Sequence, residues 1–174
     1  RPTTDYIGLF GYIYEDNAKI HKIGLTGSLM RIVGDDRVGA IAGFVTSGAS
    51  IEQSFNTGKV TGDFYVGGIV GYLNSATATH NFSTGDVSGR QYVGGLLGYI
   101  KRGATHNNFA TGKVSATSYP GGIIGYVKSG FFVNNEISNS YWAFDTTKNN
   151  TSAYMTSSES YFGTTLQQMQ CPTT

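Results

Sequence analysis

Val66-Gly67-Gly68-Ile69-Val70-Gly71-Tyr72 decides the fold, because the stretch comes back along the chain. It recurs as Val93-Gly94-Gly95-Leu96-Leu97-Gly98-Tyr99 and as Pro120-Gly121-Gly122-Ile123-Ile124-Gly125-Tyr126. A looser copy is Val38-Gly39-Ala40-Ile41-Ala42-Gly43-Phe44, and a shortened one is Ile7-Gly8-Leu9-Phe10-Gly11-Tyr12. The last glycine of each copy falls at 11, 43, 71, 98 and 125, in steps of 32, 28, 27 and 27. A fixed period in the twenties marks a solenoid, and it takes precedence over any local motif.

Other columns keep the same step. Phe55, Phe82 and Phe109 repeat at 27, as do Val60, Val87 and Val114 within Thr-Gly-x-Val segments. A 27-residue unit of several short strands predicts an all-β solenoid (β-helix) of about five coils with irregular capping ends. Equivalent residues then stack about 4.8 Å apart in parallel, in-register sheets. The pairs Gly67-Gly68, Gly94-Gly95 and Gly121-Gly122 are expected to be structural. They permit positive φ at corners and close approach of backbones where a side chain would not fit.

The organisation reads as one domain over 1–174. Residues 1–35 form an atypical first coil, 36–130 the regular repeats, and 131–174 a C-terminal cap and tail. Turns are expected at Thr46-Ser47-Gly48-Ala49, Asn74-Ser75-Ala76-Thr77, Lys101-Arg102-Gly103-Ala104 and Lys128-Ser129-Gly130. His21 to Leu29 reads as a second strand pair in the first coil. Past Gly125 the period breaks. The sole tryptophan, Trp142, belongs to the cap, 143–160 reads as a long loop, and Thr164 to Met169 as a short helical turn. Terminal units of a solenoid must differ, because they close an exposed edge.

Composition narrows the function. The chain has 174 residues, 13% of them charged, and a net charge of +1. That gives no field to attract nucleic acid or an anionic membrane. No run of 18 apolar residues is present, so membrane insertion by a helix is not expected. The start at Arg1-Pro2-Thr3-Thr4 reads as a fragment or processed segment of a longer chain. The single cysteine, Cys171, rules out an internal disulfide and reads as an ordinary small residue near an edge.

Catalytic motifs are missing. There is no His-Glu-x-x-His, no phosphate-binding glycine loop and no Gly-x-Ser-x-Gly. His80 and His106 fall in neighbouring columns, whose side chains point to opposite faces, so a shared metal is not expected. Asp35-Asp36 and Asp63 read as turn residues, and no two carboxylates fall in one column. No cofactor is expected. Calcium at Gly34-Asp35-Asp36 is left open, although the spacing matches no known calcium loop. The expected class is therefore not an enzyme.

Three rows remain as candidates. Asn81, Asn108 and Asn135 step by 27 and read as an internal amide ladder. Thr57, Thr84 and Thr111 make a second polar row. Tyr65, Tyr92 and Tyr119 precede the glycine pairs, and Tyr72, Tyr99 and Tyr126 follow them. Seven residues separate the two tyrosine columns, which on a continuous strand would face opposite ways. One column is then core or corner. The other is an exposed aromatic stripe suited to a sugar or a protein.

The phrase Val-Gly-Gly-Ile/Leu-Val/Leu-Gly-Tyr, followed by Asn-Phe-x-Thr-Gly-x-Val, resembles the GLUG repeat. Ile7 to Tyr12 resembles its opening unit. Ser140-Tyr141-Trp142, Asp145-Thr146 and Leu166-Gln167-Gln168-Met169 resemble its closing segment. The resemblance implies a large secreted or cell-surface, adhesin-like parent protein, with no catalytic residues to transfer. The sequence reading is thus a non-enzymatic extracellular structural or adhesive module that meets a surface protein, a glycan or itself. Two alternatives stay open: a carbohydrate-binding module using the tyrosine stripe, and a polysaccharide-acting solenoid enzyme.

Overall fold

The computed structural model describes residues 3–27, 29–128, 135–143 and 154–155. The chain is a parallel β-solenoid, and no helix occurs among the described residues. The first pass holds β1 (Phe10–Ile13), β2 (Lys19–His21), β3 (Gly24–Leu25) and β4 (Arg31–Val33). The second holds β5 (Asp36–Gly39), β6 (Ala42–Val45), β7 (Ser50–Glu52), β8 (Phe55–Asn56) and β9 (Lys59–Thr61). The third holds β10 (Phe64–Gly67), β11 (Val70–Thr79), β12 (Phe82–Ser83) and β13 (Val87–Ser88). The fourth holds β14 (Gln91–Gly94), β15 (Leu97–His106), β16 (Phe109–Ala110) and β17 (Val114–Ser115). The last holds β18 (Ser118–Gly121), β19 (Ile124–Val127), β20 (Asn135–Ser138) and β21 (Tyr141–Trp142), and β22 (Tyr154–Met155) begins another pass.

Each pass stacks on the next in register. Val66 pairs with Val38 and Val93, Phe82 with Phe55 and Phe109, and Val87 with Val60 and Val114. Four sheets result, and two of them, β5-β10-β14-β18 and β4-β9-β13-β17, have four strands each. The coil therefore makes about four turns, one fewer than the glycine count suggests. The first pass adds only the single Ile7–Val38 bridge to the sheet of β5. Among the described residues the last pass adds nothing to the sheet of β4.

Two strips of core run up the coil. Ile41, Ile69, Leu96 and Ile123 lie in one and are fully buried, together with Leu73, Leu97 and Ile100. Val38, Val66, Val93, Val60, Val87 and Val114 fill the other. Burying a branched side chain of this size contributes about 1.5–3 kcal/mol. Trp142 is 3% exposed, sits opposite Ala110 and packs over Gly122. It fills the last described position of the large core strip.

Several local expectations change. β2 and β3 do not pair with each other; each stacks in parallel on the second pass, β2 on β7 and β3 on β8. Asn74 to Thr77 and Lys101 to Ala104 are not turns between strands but bends inside the ten-residue strands β11 and β15. Ser75 at φ 53 and Gly103 at φ 137 make these bends, with a register shift beside them. The 143–160 loop contains at least β22, which pairs with β19. The Thr164–Met169 turn and Cys171 lie outside the described residues.

The glycine pairs serve close approach and not positive φ. None of Gly67, Gly68, Gly94, Gly95, Gly121 and Gly122 has a positive φ. A methyl group on Gly67 would overlap the Val70 carbonyl and the backbones of Leu96 and Gly98. One on Gly94 would overlap the equivalent groups of Leu97, Ile123 and Gly125. The left-handed conformation falls two residues before each pair, on Tyr65 (φ 56), Tyr92 (φ 59) and Tyr119 (φ 56), with Arg37 and Tyr6 in the equivalent places.

Candidate functional site: an aromatic strip on one corner

β10 and β11 belong to different sheets, and the chain turns between them at Gly68-Ile69. Counting residues along one continuous strand therefore fails here. Tyr65, at left-handed φ, has no Cα partner between Phe64 and Val66, both of which pair with β14. The corner and the reversed φ bring Tyr65 onto the same face as Tyr72, so the two columns do not face opposite ways.

The columns interlock. Within the first, Tyr65–Tyr92 and Tyr92–Tyr119 ring centroids lie 5.2 and 5.0 Å apart and nearly parallel. Within the second, Phe44–Tyr72, Tyr72–Tyr99 and Tyr99–Tyr126 lie 5.0, 4.6 and 5.2 Å apart. Across the columns the rings meet edge to face: Tyr65–Tyr72 at 5.3 Å, Tyr92–Tyr126 at 5.0 Å and Tyr119–Tyr126 at 5.6 Å. Such parallel and T-shaped pairs each contribute about 0.5–1.5 kcal/mol beyond area burial. The first pass extends the strip. Tyr12 stacks on Phe44 at 4.8 Å, and Tyr6 and Tyr14 flank it.

The rings are half-buried, with Tyr119 37% and Tyr12 49% exposed. Burial holds the phenols of Tyr72, Tyr92, Tyr99 and Tyr126 above the ordinary tyrosine range, and neighbouring phenols push the same way. Arg37 is the cation set against the strip, and Asp5 pairs with it at 3.9 Å. That guanidinium lies 4.9 Å from the Tyr6 ring and 5.6 Å from the Tyr65 ring.

The asparagines sit elsewhere, inside the coil. Asn81 and Asn108 are 1% exposed. The Ser54 N–H donates to Asn81 Oδ1 at 3.0 Å, and the Asn81 N–H donates to Asn108 Oδ1 at 2.9 Å. Their Nδ2 groups donate to the carbonyls of Ile51 and Ala78. The ladder thus runs from side chain to backbone and not from amide to amide. Asn135 is not in it. It pairs with Gly103 and donates to the Lys128 carbonyl at 2.7 Å. Ser140 takes the place in the ladder, accepting from the Asn108 N–H at 3.4 Å.

Asp35 and Asp63 do share a column, one pass apart, against the sequence reading. The Asp63 N–H donates to the Asp35 carbonyl at 2.7 Å. Their carboxylates and that of Asp36 lie within 4.8 Å of one another, the one acidic group of this kind among the described residues. The next residue in the column is Arg90, which donates to both Asp63 oxygens at 2.9 and 3.0 Å. Burial and the carboxylates of Asp5 and Asp35 raise the Asp36 pKa. The step from Asp35 to Asp63 is 28, the same as from Val38 to Val66 in that pass, so the pair is legible in the repeat.

His80 and His106 occupy neighbouring columns. His80 meets Asn107 at 3.0 Å, and His106 meets Ser138 at 2.7 Å. The threonine row stands toward solvent, with Thr57 and Thr84 exposed. No family model, curated protein or solved structure matches the chain.

Proposed function

We propose that this chain is a non-catalytic structural and adhesive module of a larger extracellular surface protein. It would act as a rigid spacer that presents one continuous aromatic strip to a partner. The observation that carries this reading is the backbone beneath the strip. A bulky residue at left-handed φ is uncommon and costs free energy, and such outliers gather where function holds them. Here tyrosine takes that conformation at four of five successive corners, where glycine or asparagine would fit without strain, whereas the coil's other left-handed column holds Lys22, Gln53, His80, Asn107 and Asn139. The likeness to GLUG arrays supports the extracellular setting.

The enzyme alternative would use the Asp35–Asp63 pair. Arg90 grips Asp63 through two charge-assisted bonds, which suits a structural ion pair.

The test is adhesion. Beads coated with the chain should bind cell surfaces. Beads carrying the Tyr65→Asn/Tyr92→Asn/Tyr119→Asn variant should bind several-fold less. Equal binding by both would remove the strip from the function. New reducing ends or unsaturated products from polysaccharide incubated with the chain would reinstate catalysis.

A further inference from the structure

We infer that the occupant of the aromatic strip is a slender, neutral, oxygen-rich chain, a linear polysaccharide lying along the solenoid axis. The inference rests on the adhesive reading above and names the partner.

Size comes first. From the Tyr6–Tyr12 level to the Tyr119–Tyr126 level there are four steps of about 4.8 Å, so the strip is about 19 Å long. The two columns stand side by side with ring centroids 5.3 Å apart at Tyr65–Tyr72, about two ring widths across, so at this length the strip covers on the order of 200 Å². A stable protein–protein interface buries about 800 Å² on each partner. The strip is too small for a folded partner or a second copy, and its long narrow outline fits an extended chain.

Chemistry comes next. The Tyr92 ring is surrounded by Tyr65, Tyr99, Tyr119 and Tyr126, with centroids 5.0–5.7 Å away. Ring faces are largely taken by other rings. What remains outward is ring edge and phenol hydroxyl. Aromatic edges carry partial positive charge. Phenols that resist ionisation keep their O–H donors. Both features favour a ligand covered in oxygen lone pairs over an apolar one. Arg37 is the cation set against these rings, and Asp5 pairs with it at 3.9 Å, so the charge at that end of the strip is balanced and a neutral chain meets no charge repulsion.

Geometry comes last. The in-register stack repeats the same donors at a constant pitch along a straight line. A linear polymer of identical units can answer such a row with repeated contacts. A globular ligand cannot.

The experiment is affinity electrophoresis of the chain through gels containing neutral linear glucan, mannan or xylan, with a sulfated polysaccharide as the charged comparison. At least one neutral polymer should retard the native chain. The Tyr65→Asn/Tyr92→Asn/Tyr119→Asn variant, whose asparagines suit the left-handed corner, should lose about tenfold or more in affinity. Phe82→Ser, exposed on another face, should bind as the native chain does and controls for fold. Retention by the sulfated polymer alone, or equal retention of native chain and triple variant, overturns the inference. Bead adhesion that is destroyed by protease treatment of the target surface, but survives periodate oxidation of its sugars, also overturns it while leaving the adhesive reading intact. Absence of any adhesion removes the adhesive reading itself.

Discussion

Tyr92 holds its backbone at φ 59, where a Cβ crowds the carbonyl and costs about 1–2 kcal/mol. Replacing it with glycine removes the ring and the strain together. Replacing it with alanine removes the ring and keeps the strain. We therefore expect Tyr92→Gly to be more stable than Tyr92→Ala by about 1 kcal/mol, read from urea unfolding midpoints. The ordinary order within a strand is the reverse, glycine being worse by about 0.5–1 kcal/mol. Finding that ordinary order would mean the corner is not left-handed in solution. The sequence displays the tyrosine column plainly, yet it points to the neighbouring glycines as the left-handed residues. Glycine serves two needs, positive φ and close approach, and composition does not separate them. At Gly67 the obstacles are the Val70 carbonyl across the corner and the backbone of Leu96 and Gly98, one pass further along the chain. Only the stacked coil reveals which need applies.

Strand columns show the same division at the next scale. Phe55-Phe82-Phe109 and Val60-Val87-Val114 are legible, because constant spacing in sequence becomes constant register in space. Asn135 obeys the same arithmetic and yet misleads. A step of 27 from Phe109 lands on Glu136, but the residue opposite Phe109 is Tyr141. The last pass is longer here, and Ser140 therefore comes to stand against Asn108. The Ser140-Tyr141-Trp142 run is the available signal, since an aromatic follows a small polar residue there as Phe109 follows Asn108. The two asparagines should differ accordingly. Asn108→Ala leaves the buried Asn81 N–H and the Ala78 carbonyl without their partners, a cost of about 3 kcal/mol at roughly 1–3 for each orphaned group. Asn135→Ala removes one bond, to the Lys128 carbonyl, and should cost about 1 kcal/mol. Guanidinium unfolding of both variants compares them directly. Equal losses would argue that Asn135 belongs to the ladder after all.

For the whole molecule, charge and burial set a pH window that the sequence does not display, because it depends on which groups the coil stacks together. On the acid side, Asp36 has its folded pKa raised by burial, then by Asp5 and Asp35. A raised value means the folded state holds the proton more tightly. The stabilisation is complete below the ordinary value of 3.8 and is lost as pH rises through the folded value. At neutral pH Asp36 is therefore a burden. Asp36→Asn should raise the thermal midpoint there, and the gain should shrink as pH falls toward 3.8. On the alkaline side, Tyr72, Tyr92, Tyr99 and Tyr126 are raised as well, by burial first. Their contribution is complete below the ordinary value of 10.0 and is lost as pH rises through the folded values. These phenols share one strip, so each phenolate that forms makes the next harder to form while the coil stays folded. Ionisation then waits for unfolding. We expect spectrophotometric titration to show a delayed, steep ionisation of these tyrosines above pH 10, coincident with loss of the β-sheet circular dichroism signal. The triple corner variant should lose that steep phase. Gradual ionisation near pH 10 with the sheet signal intact would show that water reaches the rings freely. The strip would then be a loose surface and not the packed spine that ties one pass of the coil to the next.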